Sequence, residues 1–183
     1  MKLGRASSLR AVAAATGDAL RRAGIRAVLT GGACASLHTG GRYSSVDADF
    51  VLVGEVERSD LDEALAPLGF RRSGDRYVHS ETDFYVEFPR GPLAIGSDDQ
   101  IRPVEQVSGR LRYLTLSATD SCRDRLAAFY HWNDRQSFAV AVQIALGNRL
   151  GWSTIHRWSA TEGFADGYEA FLQAVREARA RKS

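Results

Sequence analysis

The sequence predicts an α+β (α/β) protein, with a mixed sheet flanked by helices over residues 1–116 and a C-terminal helical bundle over residues 117–183. Three observations predict it. Short β-branched apolar runs such as "IRAVLT" and "VDADFVLV" alternate with stretches of helical periodicity in the first part. After Ser117 the pattern is helical to the end. The 44% hydrophobic and 25% charged residues of the 183 are an ordinary globular balance, and the length suffices to bury a core without covalent help.

Each element has a local reason. From Ser7 to Ala23, Leu9, Val12, Ala13, Thr16 and Leu20 recur at helical spacing, and Gly24 supplies the stop. Ile25 to Thr30 is short, β-branched and apolar, hence a strand. Gly31 and Gly32 end it, and "ACASLHT" opens a short helix. "VDADFVLV" is the second strand. A helix starts near Ser59 and is closed by Pro67 and Gly69. "RYVHS" and "DFYVEFP" form an antiparallel pair turning at Glu81 and Thr82, and "RYLTL" is one further strand. "PRGPLAIGSDDQIRPVEQVSG" reads as a long polar loop. Breaks at Asn133, Gly147 to Gly151 and Gly163 divide the last part into four helices.

Bulk properties exclude more than they select. Lys+Arg 24 against Asp+Glu 22 gives a net charge of +2, too balanced to indicate nucleic acid by itself. Arg176, Arg179, Arg181 and Lys182 make the tail locally basic, which suits the C-terminal end of a solvated helix and leaves a phosphate contact open. Cys34 and Cys122 lie far apart in apolar helical patterns, as buried free thiols do. The opening stretch carries charges through its alanine-rich run, unlike a signal peptide, and no window has the apolar length of a membrane span. A cytoplasmic location is the expectation. His38, His79, His131 and His156 show no metal spacing, no serine sits in a nucleophile elbow, and "GGRYSS" lacks the P-loop ending.

The chemistry concentrates in "TGGACASLHTGGRYSSVDADFVLVG". Asp47 and Asp49, two apart in a strand, leave the same face, with Val46, Ala48 and Phe50 on the core side. Two adjacent carboxylates repel, and a divalent Mg2+ or Mn2+ relieves that repulsion with the oxygen ligands it prefers. A strand end meeting solvent is the plainer reading of such a pair. Gly31 and Gly32, between a strand and a helix, let backbone N–H groups approach a phosphate, and Arg42, Ser44 and Ser45 add a cation and hydroxyls. "TDFYVEF" carries Asp83 and Glu87 on one strand face. Spacing does not choose between them. Glu87 is favoured because it lies deeper in the apolar run, where an unpaired carboxylate is costly, and pairing with Arg71 or Arg90 is its structural alternative.

These residues together resemble the nucleotidyltransferase superfamily of the polymerase-beta type, and most closely the toxin-like nucleotidyltransferases of abortive-infection and toxin–antitoxin systems and their uncharacterised relatives. The resemblance runs over about residues 25–90, through Gly31, Gly32, Arg42, Ser44, Asp47 and Asp49. It implies a nucleotidyltransferase-like mixed sheet. It also implies Mg2+ (or Mn2+) held by Asp47, Asp49 and Glu87, and nucleoside triphosphate phosphates against Gly31, Gly32 and Arg42 or a serine. The implied activity is transfer of a nucleoside monophosphate to an RNA or protein acceptor, with an antitoxin as partner of a toxin-like member. Three features depart from the pattern: Gly32 where many members carry serine, one extra residue between Ser44 and Asp47, and glutamate as third acid.

In the helical part, Ser117 or Thr119 caps a helix whose apolar stripe includes Leu126, Phe129 and Tyr130. Asp124, Arg125, Asp134 and Arg135 are similar to the acid-and-basic arrangement of the toxin-like relatives, and surface charge is the alternative. His131 is expected at a helix-end interaction, Trp132 in core packing with stacking on a base as its alternative, and Trp152 and Trp158 in core or interface packing of the last helices. The competing functions are a catalytically inactive nucleotidyltransferase-fold protein that binds a nucleotide or protein partner, and an α/β interaction protein whose acids are surface decoration.

Overall fold

The computed structural model describes residues 3–181. Helix α1 (Leu9–Arg22) starts where Ser8 accepts the Ala11 N–H, and the chain reverses at Gly24, φ 76°, into β1 (Ala27–Leu29). Helix α2 (Gly31–His38), β2 (Asp47–Leu52) and α3 (Arg58–Leu65) follow. A three-strand meander, β3 (Phe70–Ser73), β4 (Arg76–His79) and β5 (Thr82–Glu87), leads through a long crossing to β6 (Val104–Ser108) and β7 (Leu111–Thr115). Four helices end the chain: α4 (Ala118–Trp132), α5 (Arg135–Gly147), α6 (Trp152–Thr161) and α7 (Ala165–Ala180). No helix among the described residues is long and apolar enough to cross a membrane.

The strands form one mixed sheet in the order β3-β4-β5-β2-β1-β7-β6. β2 pairs parallel with β5 and β1 parallel with β7, and the remaining pairs are antiparallel. Helices α1 and α3 cover one face. A Cβ on Gly17 would stand 2.5 Å from the Tyr113 side chain and 3.2 Å from Phe50, so only glycine lets α1 approach the sheet this closely. The Tyr77 hydroxyl donates to Asp62 at 2.6 Å and ties β4 to α3. With seven α-helices and a mixed seven-stranded sheet among the described residues, the fold is α+β, as the sequence predicts.

The terminal helices share the core through Leu126, Ile144, Ile155 and Phe171, all fully buried. Tyr130 stacks between Trp158 and Phe164, with ring centroids 5.7 and 4.7 Å away. Helix α2 links the sheet to this part: His38 Nε2 meets the Leu116 carbonyl, just past β7, at 3.0 Å, and Asn148 Nδ2 at the end of α5 donates to the His38 carbonyl at 2.7 Å. Buried Arg123 reaches Asp120 and Asp98, and Trp158 Nε1 donates to the Ile95 carbonyl, so the crossing between β5 and β6 is strapped onto α4 and α6. Both thiols are buried, and burial raises each pKa, that of Cys34 to about 11.

Several local expectations are corrected. Gly31 and Gly32 lie inside α2, not before it. β3 and β6 are strands that the sequence did not announce; β6 takes the end of the predicted loop, where "VEQVS" can pair with β7 because the turn at Gly109 brings them together. Val46 is exposed, one residue short of β2, where no neighbour covers it. Trp132 is 77% exposed rather than packed, because α4 ends at Asn133 in the left-handed conformation and leaves the indole outside. Of the basic tail, Lys182 lies outside the described residues.

Candidate active site: a carboxylate triad beside a glycine turn

Strand alternation puts Asp47 and Asp49 on one face while Ala48 and Phe50 are fully buried on the other. The parallel register between β2 and β5 then supplies the third acid. Asp47 lies opposite Tyr85 and Asp49 opposite Glu87, so Glu87 leaves the same face one strand away. One carboxylate oxygen from each of Asp47, Asp49 and Glu87 lies within 4.8 Å of the others. Asp83, on the same face but near the start of β5, is exposed and outside this cluster.

Three carboxylates this close are electrostatically unfavourable alone. Burial raises the Asp49 pKa, and the charges of Asp47 and Glu87 raise it further, to about 7. The positive charge of Arg125 on α4 lowers it, countered by the neighbouring Asp124. A hard divalent cation fits this donor set, which is oxygen-only and anionic.

The backbone beside the acids is shaped to them. Gly31 has φ 61°, and a Cβ there would collide with the Asp49 carboxylate. Thr30 N donates to the Asp49 carbonyl at 2.9 Å and locks the end of β1 to β2. Gly32 leaves room for Ser45, whose Oγ lies 2.7 Å from where a Cβ would stand and donates to Asp47. The Tyr43 hydroxyl lies 3.3 Å from the same point. A side chain at position 32 would have to displace Ser45, which already fills that space.

Helix α4 brings a charged pair toward the triad. Arg125 Nη2 donates to Asp124 Oδ2 at 2.7 Å, and its Nη1 reaches Ser137 Oγ at 3.4 Å. Burial lowers the Arg125 pKa, but Asp124, Tyr43 and Asp49 outweigh it, and the net shift is upward. Asp134 caps α5 by accepting the Ser137 N–H, and Arg135 is exposed. His131 meets Glu162 at 3.3 Å, the expected helix-end contact.

Not every predicted residue joins the cluster. Ser44 is exposed, with its hydroxyl directed to the Ser45 carbonyl. Arg42 is exposed, its guanidinium next to Gly147 at the C-terminal end of α5, where the helix dipole favours a cation. Among the described residues no hydrogen bond or ion pair joins Arg42 to the carboxylates. Tyr43 and Thr30 went unnoticed in the sequence; the only signal was their adjacency to residues already singled out. A cleft of about 770 Å³ lies elsewhere, lined by Leu52, Arg58, Arg72, Tyr77, Phe88 and Arg90, and contains none of the triad. The carboxylates mark the candidate site because chemistry needs converging groups and not volume alone.

No protein-family model matches the sequence, and no curated protein matches it either. Among solved structures, the chain is similar to an antigenic nucleotidyltransferase-like protein from Paracoccidioides brasiliensis. The identity is 17%, the TM-score 0.56, and the match covers 78% of this chain and 76% of that one. A looser similarity, TM-score 0.47 at 15% identity over 91% and 90% of the two chains, links it to the antibiotic-resistance factor ANT(2'')-Ia. With its mixed sheet and its acids on adjacent parallel strands, the chain has a nucleotidyltransferase-like fold.

Proposed function

We propose that the protein is a metal-dependent nucleotidyltransferase that moves a nucleoside monophosphate from a nucleoside triphosphate to an acceptor hydroxyl. The observation that carries this reading is the convergence of Asp47, Asp49 and Glu87 beside the Gly31 turn. Asp47, Asp49 and Glu87 would hold Mg2+ or Mn2+, which supplies charge stabilisation for the phosphoryl oxygens. Gly31 and Gly32, at the start of α2, let the triphosphate approach the backbone, and Ser45 holds the Asp47 carboxylate in place. Arg125, held by Asp124 and Ser137, lies on the triad side of α4 and adds positive charge for a phosphate there. In the transfer, the acceptor oxygen bonds to the α-phosphorus, the bond from the α-phosphorus to the bridging oxygen breaks, pyrophosphate leaves, and the acceptor proton passes to solvent. The toxin-like role and an antitoxin partner belong to this reading through the sequence resemblance, and growth arrest on expression would support them.

The experiment is calorimetry of ATP and CTP with Mg2+ on the wild type and on Asp47→Ala with Asp49→Ala, alongside label transfer from radiolabelled triphosphates. The expected result is at least 100-fold weaker binding in the double variant. Equal binding in both proteins would overturn the proposal. Nucleotide affinity without label transfer would instead identify a nucleotide-binding protein of this fold.

A further inference from the structure

Residues in register across a ladder present their side chains to the same face. The triad therefore does not stand alone on its side of the sheet. Tyr85 is in register with Asp47, Arg76 of β4 with Glu87, and Ser73 of β3 with Arg76. Arg71, two residues from Ser73 and in register with Val78, shares that side as well. The face of β5, β4 and β3 that continues outward from the carboxylates thus carries Tyr85, Arg76 and Arg71.

This half of the face is open. Arg71, Ser73 and Arg76 are exposed, and Tyr85 and Val78 are half-buried. Helix α3 packs on the opposite side, where its Asp62 meets Tyr77, and α4 to α7 make no substantial packing against β3, β4 or β5. Neither Arg71 nor Arg76 forms an ion pair with an acid among the described residues, whereas Arg72, directed to the other side, pairs with Asp62. The Arg76 guanidinium lies over the Tyr85 ring, 4.9 Å from its centroid. That contact orders a planar, permanently charged fork beside the triad without spending its charge on a carboxylate. Asp83 is the acid of β5 on this side outside the triad, and it stands at the end of the strand away from Glu87.

We propose that the Arg76–Tyr85 pair and Arg71 form the acceptor platform, and that the acceptor is the end of a single-stranded RNA. The inference rests on the nucleotidyl-transfer reading and names its substrate class. Phosphates pair with Arg76 and Arg71 and a base stacks against the tyrosine or guanidinium plane, as bases do on exposed sheets. β4 is two strand spacings from β2, about 10 Å, so a strand end lying across the platform delivers its terminal hydroxyl to the carboxylates. Two arginines make a small footprint, which agrees with a chain whose net charge is only +2.

The test is fluorescence anisotropy of a labelled oligouridylate between about 50 and 200 mM salt, for the wild type and for Arg71→Ala with Arg76→Ala. Loss of two phosphate contacts should reduce the slope of log K against log salt by about 1.4, with affinity about tenfold lower at the low-salt end. Tyr85→Ala should weaken binding at every salt concentration without changing the slope, and Tyr85→Phe should restore it. An unchanged slope in the double variant, with circular dichroism as for the wild type, overturns the platform. So does label transfer to protein that proceeds equally in wild type and double variant. Calorimetry of Mg-ATP on the wild type separates the two levels. If Mg-ATP binds while the slope is unchanged, only the acceptor platform fails; if Mg-ATP does not bind either, the transfer reading fails with it.

Discussion

Asp18 on α1 and Asp49 on β2 are both taken largely out of water, and burial pushes both pKa values up. Their outcomes are opposite. At Asp18 the Arg112 N–H at 3.0 Å, Arg21 at 3.1 Å and Arg22 at 2.7 Å outweigh burial, and the carboxyl is held below its ordinary value. At Asp49 the nearest groups are two further carboxylates, and the value rises to about 7. The comparison teaches what to look for in a buried acid. An acid whose cations come from its own chain is structural, whereas an acid that the chain surrounds with more acid is the one to test for a cation from outside.

The largest expected effect breaks the satisfied side. Asp18→Ala leaves the Arg112 backbone N–H without its acceptor and removes two ion pairs of a buried carboxylate, and should cost about 2–3 kcal/mol in urea unfolding. Gly31→Ala acts on the other side. It places a Cβ against the Asp49 carboxylate at a positive φ, and should cost about 1–2 kcal/mol while weakening Mg2+ binding by calorimetry.

Asp49→Asn sharpens the contrast because its sign is reversed. Without metal it should stabilise the protein at pH 8 by about 1 kcal/mol, after allowance for solvent screening of a half-buried group. The sign follows from proton counts. Between pH 3.8 and about 7 the unfolded chain has released the Asp49 proton and the folded chain retains it, so the contribution of this residue to stability falls as pH rises and is constant above 7. Asp18 does the reverse: its contribution is present above pH 3.8 and is lost as pH falls through its lowered value. Melting curves with and without Mg2+ should therefore diverge as pH rises from 5 to 8, and the divergence should vanish in Asp49→Asn. The smallest effect belongs to Trp132→Ala, which should change stability by less than about 0.5 kcal/mol despite the size of the side chain, since that indole is exposed.

Local signals account for what could be read from the chain. Helix α1 announced itself through its apolar stripe and Gly24, and the four terminal helices through Asn133, Gly147 to Gly151 and Gly163, because period and caps depend on near neighbours. β3 and β6 escaped because they are the two edge strands, with exposed polar positions and short apolar content, and exist only through their partners. The place of Trp132 is not local either: a tryptophan is core or surface according to which way its helix ends.

At the site, the alternation of a strand by itself determined that Asp47 and Asp49 share one face, and likewise Asp83 and Glu87. It left two candidates for the third carboxylate, since positions four apart point the same way. Only the tertiary structure decided between them. The register of β2 on β5 set Glu87 opposite Asp49 and left Asp83 exposed near the other end of the strand. Register joins segments more than thirty residues apart and is settled by the packing of both sheet faces together. A run of residue types cannot carry that information.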